Sequence, residues 1–171
     1  MLAWLPFILI SLLFIVVLIA CAQSARTNIQ RVKQLGLIAF LWVLTAFCYT
    51  PTSYNFGTQL VIQYIQWGPV KLNVIPFQQM DIEFWLNVLL TVPLGGLLAW
   101  NFPDLPWRRF IWLGLLTGLT LEAGQFILDW LVNIKRWVDI DDVITNWAGV
   151  ILGAVCYKVA RHVPGLRWLQ K

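Results

Sequence analysis

The sequence predicts an all-α fold: a polytopic membrane helix bundle with five transmembrane helices and a long loop between the second and the third. Composition is the first reason, because 60% of the 171 residues are hydrophobic and only 12% are charged. Length is the second, because apolar runs of about 20 residues recur along the chain, and about 20 helical residues cross the hydrocarbon core of a bilayer. The 11 tryptophans are the third. Many stand at the ends of these runs, where amphipathic rings favour the membrane interface.

The apolar runs predict the five helices in chain order. We expect them near residues 3–22, 32–50, 84–101, 109–129 and 142–161. No basic residue precedes the first run, whereas a secretory leader begins with a positive segment. We therefore expect the first run to be kept as a helix. The predicted organisation is an extra N-terminal helix with its loop (1–30), a membrane domain (31–160) and a basic tail (161–171).

The connection between the second and third predicted helices, residues 51–83, is long. Connections beyond about 12–15 residues usually carry function or structure of their own. Gln59, Gln63 and Gln66 share one helical face beside apolar residues, which is typical of an interfacial helix lying on the membrane. Gly68 would end that helix. A solvated loop with occasional aromatic residues is the alternative.

Basic residues collect in alternate connections. Most of the 12 lie after the first helix, after the third and in the tail: Arg26, Arg31, Lys33, Arg108, Arg109, Lys158, Arg161, Arg167 and Lys171. Short loops rich in Lys and Arg stay in the cytoplasm. This predicts an outside N-terminus, a cytoplasmic C-terminus and an extracytoplasmic loop 51–83. We expect the basic tail to contact anionic lipid headgroups rather than nucleic acid.

Polar side chains recur at helical spacing in the last three predicted helices. They form one stripe on each helix: Asn87 and Thr91 on the third, Glu122, Gln125 and Asp129 on the fourth, and Asp139, Asp142 and Asn146, followed by Gly149 and Gly153, on the fifth. A charge at membrane depth costs at least about 2.5–3.5 kcal/mol. We therefore expect the stripes to face one another, with Arg136 from the loop pairing with one of the nearby carboxylates, Glu122, Asp139 or Asp142. The two glycines would let a neighbouring helix approach closely.

The order and spacing of several motifs support a resemblance to a known family. The motifs are Asn73-Val-Ile-Pro-Phe77, Asn87-x5-Pro93-Leu-Gly95, Leu121-Glu122-x2-Gln125 and Arg136-x2-Asp139-Ile-Asp141-Asp142-x3-Asn146-x2-Gly149-x3-Gly153. Together they resemble the successive motifs of the VanZ-like family of bacterial membrane proteins, and the resemblance covers roughly residues 40–160. The family's polar positions correspond to Asn87, Glu122, Gln125, Arg136, Asp139, Asp142 and Asn146. The family's common phenylalanine before the third-helix proline is Val92 here.

The resemblance implies a multi-pass protein of the bacterial cytoplasmic membrane and cell envelope. The family's namesake is associated with resistance to teicoplanin, a lipoglycopeptide antibiotic. The resemblance implies no settled reaction, because the family has no agreed catalytic residues. The function must therefore be argued from the polar side chains.

The first of three function classes is binding of an envelope lipid headgroup or a lipid-linked precursor at an outward-facing site, which could also move the headgroup between leaflets. Arg136 would bind a phosphate or carboxylate, because a guanidinium presents a planar fork of donors. The predicted ligand-binding residues are Asn87, Glu122, Gln125, Arg136, Asp139, Asp142 and Asn146.

The other two classes are an enzyme and a purely structural membrane protein. No cofactor is expected apart from a divalent cation, which Glu122, Asp139 and Asp142 could hold beside a lipid phosphate. Glu122 or Asp142 could instead act as general acid or base. The one histidine, His162, lies in the basic tail, so the sequence offers no base for a serine–histidine triad on the outer side. If the protein is purely structural, the polar groups only form interhelical hydrogen bonds, worth about 0.6 kcal/mol each.

Overall fold

A computed structural model describes residues 2–24, 27–52, 63–78 and 80–163. Arg26, Gln59 and most of the predicted basic tail, 164–171, lie outside these residues. The helices are α1 (Leu5–Gln23, preceded by a 3-10 turn at Leu2–Trp4), α2 (Asn28–Tyr49), α3 (Ile82–Asn101), α4 (Trp107–Val132) and α5 (Ile140–Ala160). The strands are β1 (Ile65–Trp67), β2 (Val70–Asn73) and β3 (Trp137–Asp139). Among the described residues, five helices are long and apolar enough to cross a membrane, which confirms the predicted helix bundle.

The closest packing in the bundle is between α3 and α5, which run side by side in the same direction. A Cβ atom added at Gly95 of α3 would overlap the carbonyl oxygen of Val150 on α5. Cβ atoms added at Gly149 and Gly153 would overlap backbone oxygens of α3, the latter that of Val92. The prediction that the α5 glycines allow a close approach is confirmed, and α3 is the helix that approaches.

The remaining helices surround this pair. On α4, an added Cβ at Gly118 would lie 2.6 Å from the carbonyl oxygen of Val143, so α4 packs closely on α5. Leu44 of α2 joins Leu94 and Val150 in a buried apolar cluster, which closes the bundle on another side. The first helix packs on the outside of α2. None of its residues is buried, which suits a helix surrounded largely by lipid.

A three-stranded sheet covers the end of the bundle where α2 and α4 finish and α3 and α5 begin, here called the sheet end. Strands β1 and β2 form an antiparallel hairpin in which Trp67 faces Val70. Strand β3 pairs with β2 in parallel, and Asn73 faces Asp139. The hairpin turn requires Gly68, whose φ is +58° and whose added Cβ would lie 2.7 Å from the Trp130 ring.

The predicted interfacial helix through Gln63 and Gln66 is wrong where the structure describes this segment. Gln66 lies in β1, and Gly68 makes the hairpin turn instead of ending a helix. A short apolar run has no decisive periodicity. Here the strand is selected by pairing with β2, which provides the backbone hydrogen bonds that a helix would have made internally.

The opposite end of the bundle carries the basic residues near the start of α2 and the end of α5. The Lys33 ammonium lies 5.6 Å from the centre of the Trp100 ring. The Lys158 ammonium lies 4.5 Å from the centre of the Trp107 ring and donates a hydrogen bond of 3.0 Å to the Leu105 carbonyl oxygen. Several predicted cytoplasmic cations therefore share one end of the bundle, opposite the sheet.

Candidate functional site

The polar residues predicted from the stripes lie near the sheet end, and we call them the polar cluster: Asn87, Glu122, Gln125, Arg136, Asp139, Asp142 and Asn146. Direct hydrogen bonds join several of them across helices. Asn87 Nδ2 of α3 donates to Asp142 Oδ1 of α5 over 2.5 Å. Thr91, one turn further along α3, donates to the backbone oxygen of Asn146 over 3.0 Å. The polar stripe of α3 therefore faces the polar stripe of α5.

Glu122 connects α4 to the beginning of α5. Its side chain is only 4% exposed, and Oε2 accepts a 2.8 Å hydrogen bond from the backbone amide of Asp139. The first amides of a helix have no partner within the helix and carry partial positive charge. A carboxylate from a neighbouring helix is thus well placed at the first residue before α5.

Asp139 caps α5 and also connects it to the sheet. Its Oδ1 accepts a 2.8 Å hydrogen bond from the amide of Asp141, which is typical N-capping. The two carboxylate oxygens also accept from Asn73 Nδ2, at 3.0 and 3.1 Å. Burial raises the pKa of the Asp139 carboxyl, although these hydrogen bonds act in the opposite direction.

Arg136 does not make the predicted hydrogen-bonded pair with Glu122, Asp139 or Asp142. Its Nε and Nη2 atoms donate to the carbonyl oxygen of Thr50, at 3.4 and 3.3 Å, and Nη2 also donates to the carbonyl oxygen of Phe47. The last carbonyl groups of a helix lack internal donors, and a cation there is favourable. Arg136 therefore caps α2, which is the physical reason for the difference.

The electrostatic environment still connects Arg136 with the carboxylates of the polar cluster. Burial lowers the pKa of the Arg136 guanidinium, and the negative charges of Asp142 and Glu122 oppose that change. Asp129 holds the backbone in place, because its Oδ1 accepts from the amides of Lys135 and Arg136 at 2.7 and 3.4 Å. The guanidinium is thus fixed near the carboxylates without a direct bond to them.

Two buried amide oxygens in the polar cluster have no hydrogen-bond partner within the described residues: Gln125 Oε1 and Asn146 Oδ1. The two side chains are 4% and 3% exposed. Gln125 Nε2 donates to the carbonyl oxygen of Cys48 over 3.2 Å, and because a carbonyl can only accept, the orientation of the Gln125 amide is fixed. A buried polar atom without a partner costs about 1–3 kcal/mol and therefore requires an explanation.

The solvent exposure of the side chains in the polar cluster decreases from the surface to the interior. Asn87, Arg136, Asp139 and Asp142 are partly exposed, whereas Glu122, Gln125 and Asn146 are buried. We call the first four residues the rim and the other three the floor. The two unpartnered oxygens belong to the floor.

Other buried polar residues at the sheet end were not predicted as site residues. Asn73 and Asp141 are 3% and 4% exposed. Asp141 accepts hydrogen bonds of 2.8 and 3.0 Å from the amide of Phe77, and Asn73 holds Asp139. The only signal for them was their presence in the quoted motifs, because their partners are distant in sequence. They fix the sheet against the bundle.

No three Asp, Glu, His or Cys side chains are arranged to hold a metal ion in the part of the chain that the structure describes. The predicted cation ligands Glu122, Asp139 and Asp142 each accept hydrogen bonds from protein donors instead. Glu122 and Asp142 stay predicted candidates for acid or base chemistry.

An apolar groove of about 340 Å³ lies towards the opposite end of the bundle, between the end of α3 and the beginning of α4. Its lining residues are Leu98, Phe102, Leu105, Arg109, Trp112, Leu113 and Leu116. The groove is separate from the polar cluster, and none of the predicted site residues lines it.

Comparison with known proteins identifies the family. The family model described as VanZ/LLP1 matches residues 5–161, so the match begins closer to the N-terminus than the resemblance, which was expected to cover roughly residues 40–160. No curated protein and no solved structure gives a match. Five helices able to cross a membrane and a family match over most of the chain agree with each other. The chain is therefore a multi-pass membrane protein that belongs to the VanZ/LLP1 family.

Proposed function

We propose that this protein binds the polar headgroup of an envelope lipid, or of a lipid-linked envelope precursor, at the polar cluster. The observation that carries the proposal is the pair of buried, unpartnered oxygens on Gln125 and Asn146. A purely structural cluster gains nothing from leaving them unpaired, since each costs free energy in the folded state. A bound headgroup would supply the missing donors.

The proposed location is the outer half of the bacterial cytoplasmic membrane. The distribution of basic residues supports it, because Lys33 and Lys158 mark the end of the bundle opposite the sheet. By the rule that cytoplasmic loops are rich in Lys and Arg, that end is cytoplasmic and the sheet end is outside. The N-terminus is then outside, and the polar cluster faces the outer leaflet.

A headgroup site in the outer leaflet would connect this protein with glycopeptide resistance. A lipoglycopeptide such as teicoplanin carries a lipid anchor and acts at the outer surface of the cytoplasmic membrane. A protein that binds an envelope lipid or precursor there would change how much of it is accessible to the drug. We propose reduced susceptibility to teicoplanin-type antibiotics as the cellular consequence.

A structural role for the same side chains makes a different prediction. Asn87 and Asp142 join α3 to α5, and Arg136 caps α2, so these rim residues also stabilise the bundle. The floor residue Asn146 separates the two roles, because its side-chain oxygen has no protein partner. Changing it to leucine should affect ligand binding more than folding.

The experiment compares bound lipid in three purified proteins: wild type, Asn146→Leu and Asn101→Leu. The control residue Asn101 donates to the carbonyl oxygens of Lys33 and Leu97, away from the polar cluster. Native mass spectrometry after extraction from the membrane should show a retained lipid on the wild type and on Asn101→Leu, and much less on Asn146→Leu. Folded protein should be measured by size-exclusion chromatography. Equal retention by all three folded proteins, or none by the wild type, would refute the proposal.

A further inference from the structure

We infer that the apolar groove between the end of α3 and the beginning of α4 binds one anionic phospholipid. An acyl chain lies in the groove, and the phosphate lies beside Arg109. This site goes beyond the proposed function, because the groove lies towards the end of the bundle opposite the polar cluster and takes a lipid from the other leaflet. The observation that carries the inference is a single cationic side chain in the lining of an otherwise apolar groove.

The order of side chains along α4 matches the order of chemical groups in a phospholipid. Four lining residues share one helical face at i, i+3, i+4 and i+7: Arg109, Trp112, Leu113 and Leu116. Since α4 begins at Trp107, Arg109 lies near the end of the bundle, and Leu116 lies about 10 Å further in. A phospholipid of the adjacent leaflet has its charge at the membrane surface and its acyl chains towards the middle of the bilayer. The groove presents partners in the same order.

The length of α4 places Arg109 close to the depth of the lipid headgroups. The helix has 26 residues and extends about 39 Å, whereas the hydrocarbon core of a bilayer is about 30 Å thick. The ends of α4 therefore project beyond the hydrocarbon, and Arg109 is the third residue of the helix. Trp107, the first residue, is exposed and belongs to the residue type that favours the membrane interface. The guanidinium can thus meet a phosphate while the groove contacts the chain.

The donors at this end of the groove are available to an anion. Arg109 is exposed, and its side chain makes no hydrogen bond or ion pair with any other residue that the structure describes. The helix begins after Pro106 without a side-chain cap, and the first amides of a helix favour an anion. With Arg108 and Asp104 included, the turn into α4 keeps a net positive charge. A phosphate binds there without displacing any of the hydrogen bonds described above, and a guanidinium suits it as a planar fork of donors.

The test titrates phosphatidylglycerol, which is anionic, and phosphatidylcholine, which has no net charge, on identical acyl chains. Each lipid is added to the delipidated full-length protein in detergent, and native mass spectrometry measures the bound lipid. Arg109→Gln should bind phosphatidylglycerol about fivefold more weakly than Arg108→Gln does, which corresponds to about 1 kcal/mol for one basic residue near anionic lipid. Phosphatidylcholine should bind both variants equally. Arg108 is the matched control, because it is exposed and adjacent but does not line the groove.

A second pair of variants tests the apolar part of the site. Leu116→Trp adds bulk inside the groove, whereas Leu119→Trp adds the same bulk to α4 at a position that does not line it. Both leucines are exposed, so neither substitution alters the buried core. Leu116→Trp should bind both lipids more weakly than Leu119→Trp does, because the indole takes the space of the acyl chain. Size-exclusion chromatography checks that all four variants are folded.

Each result supports or overturns the inference. Equal binding of phosphatidylglycerol by the two arginine variants would overturn it, since the charge would then act without the groove. Equal binding by the two tryptophan variants would show that no acyl chain occupies the groove. A wild-type dimer that Leu116→Trp dissociates would mean that a second copy of the chain covers the groove instead. The proposed function is tested separately, because Asn146→Leu should leave the difference between the two arginine variants unchanged.

Discussion

The close contact of α3 and α5 allows the bundle to be tested with two adjacent glycines. A Cβ at Gly95 would overlap the carbonyl oxygen of Val150 and lie 2.8 Å from its carbonyl carbon and 2.9 Å from the amide nitrogen of Ala154. Nonbonded carbon atoms are usually about 3.5–4.0 Å apart. The substitution Gly95→Ala therefore requires the two backbones to separate by roughly 1 Å or more.

The neighbouring Gly96 is the matched control, since it lies on the same helix. Its added Cβ would have its nearest heavy atom, the carbonyl oxygen of Gly153, at 3.8 Å. Gly96→Ala gains about 0.5–1 kcal/mol from the greater helix propensity of alanine. Gly95→Ala gains the same amount but loses about 1–3 kcal/mol through overpacking. The two variants should therefore differ by about 1–3 kcal/mol in the free energy of unfolding.

Thermal unfolding in a mild detergent, followed by size-exclusion chromatography of the remaining folded protein, measures this difference. One kcal/mol corresponds to about 2–4 °C for a chain of this size. We expect Gly96→Ala to melt at or above the wild-type temperature, and Gly95→Ala to melt at least about 2–4 °C below Gly96→Ala. Equal melting temperatures of the two variants would show that α3 and α5 do not approach each other in this way.

Three further predictions concern the rim. Arg136→Gln removes the cap of α2 and should lower the melting temperature, whereas Lys135→Gln, at an exposed position, should not; equal effects would contradict capping. Burial raises the pKa of Asp139 in the folded state, so the folded protein keeps this proton at pH values where the unfolded chain has lost it. The wild type should therefore lose stability relative to Asp139→Asn as the pH rises above about 4, and parallel stability curves would refute this. Asn87→Ala and Asp142→Ala should be coupled by roughly 0.6–1.7 kcal/mol in a double-mutant cycle, and strictly additive losses would argue against their hydrogen bond.

The membrane helices could be predicted from the sequence because their length is set by the bilayer. The third was expected at 84–101 and spans Ile82–Asn101, and the fourth was expected at 109–129 and spans Trp107–Val132. The differences occur at the ends of the helices, because local capping determines the residue at which a helix begins or ends. Asp81, for example, accepts hydrogen bonds from the amides of Glu83 and Phe84, which extends α3 by two residues. Hydropathy carries no information about such a cap.

The sheet could not be predicted because its pairings join distant parts of the chain. Asn73 of β2 faces Asp139 of β3 across the parallel pair. Each strand is only three or four residues long, too short for alternation of apolar and polar residues to show. The strands are specified by the helix ends that bring them together, and that placement is a property of the folded bundle.

The polar cluster shows the same division between what the sequence determines and what the folded bundle determines. Helical spacing correctly placed the α3 stripe opposite the α5 stripe, as the bond between Asn87 and Asp142 shows. The partner of Arg136 could not be predicted. Whether a guanidinium meets a carboxylate or the final carbonyl groups of a helix depends on where that helix ends, and α2 ends beside Arg136.

The contact between α3 and α5 also shows why the unpartnered oxygens matter. Thr91 is fully buried in this contact, and its hydroxyl donates to the backbone oxygen of Asn146. A small polar residue in a tight helix contact can thus be satisfied within the protein. The side-chain oxygen of the same asparagine is buried as deeply and is not satisfied. Since packing at this contact does not prevent hydrogen bonding, tight packing alone does not account for the missing donor at Asn146, and Asn146→Leu is therefore the variant that tests the proposed headgroup site most directly.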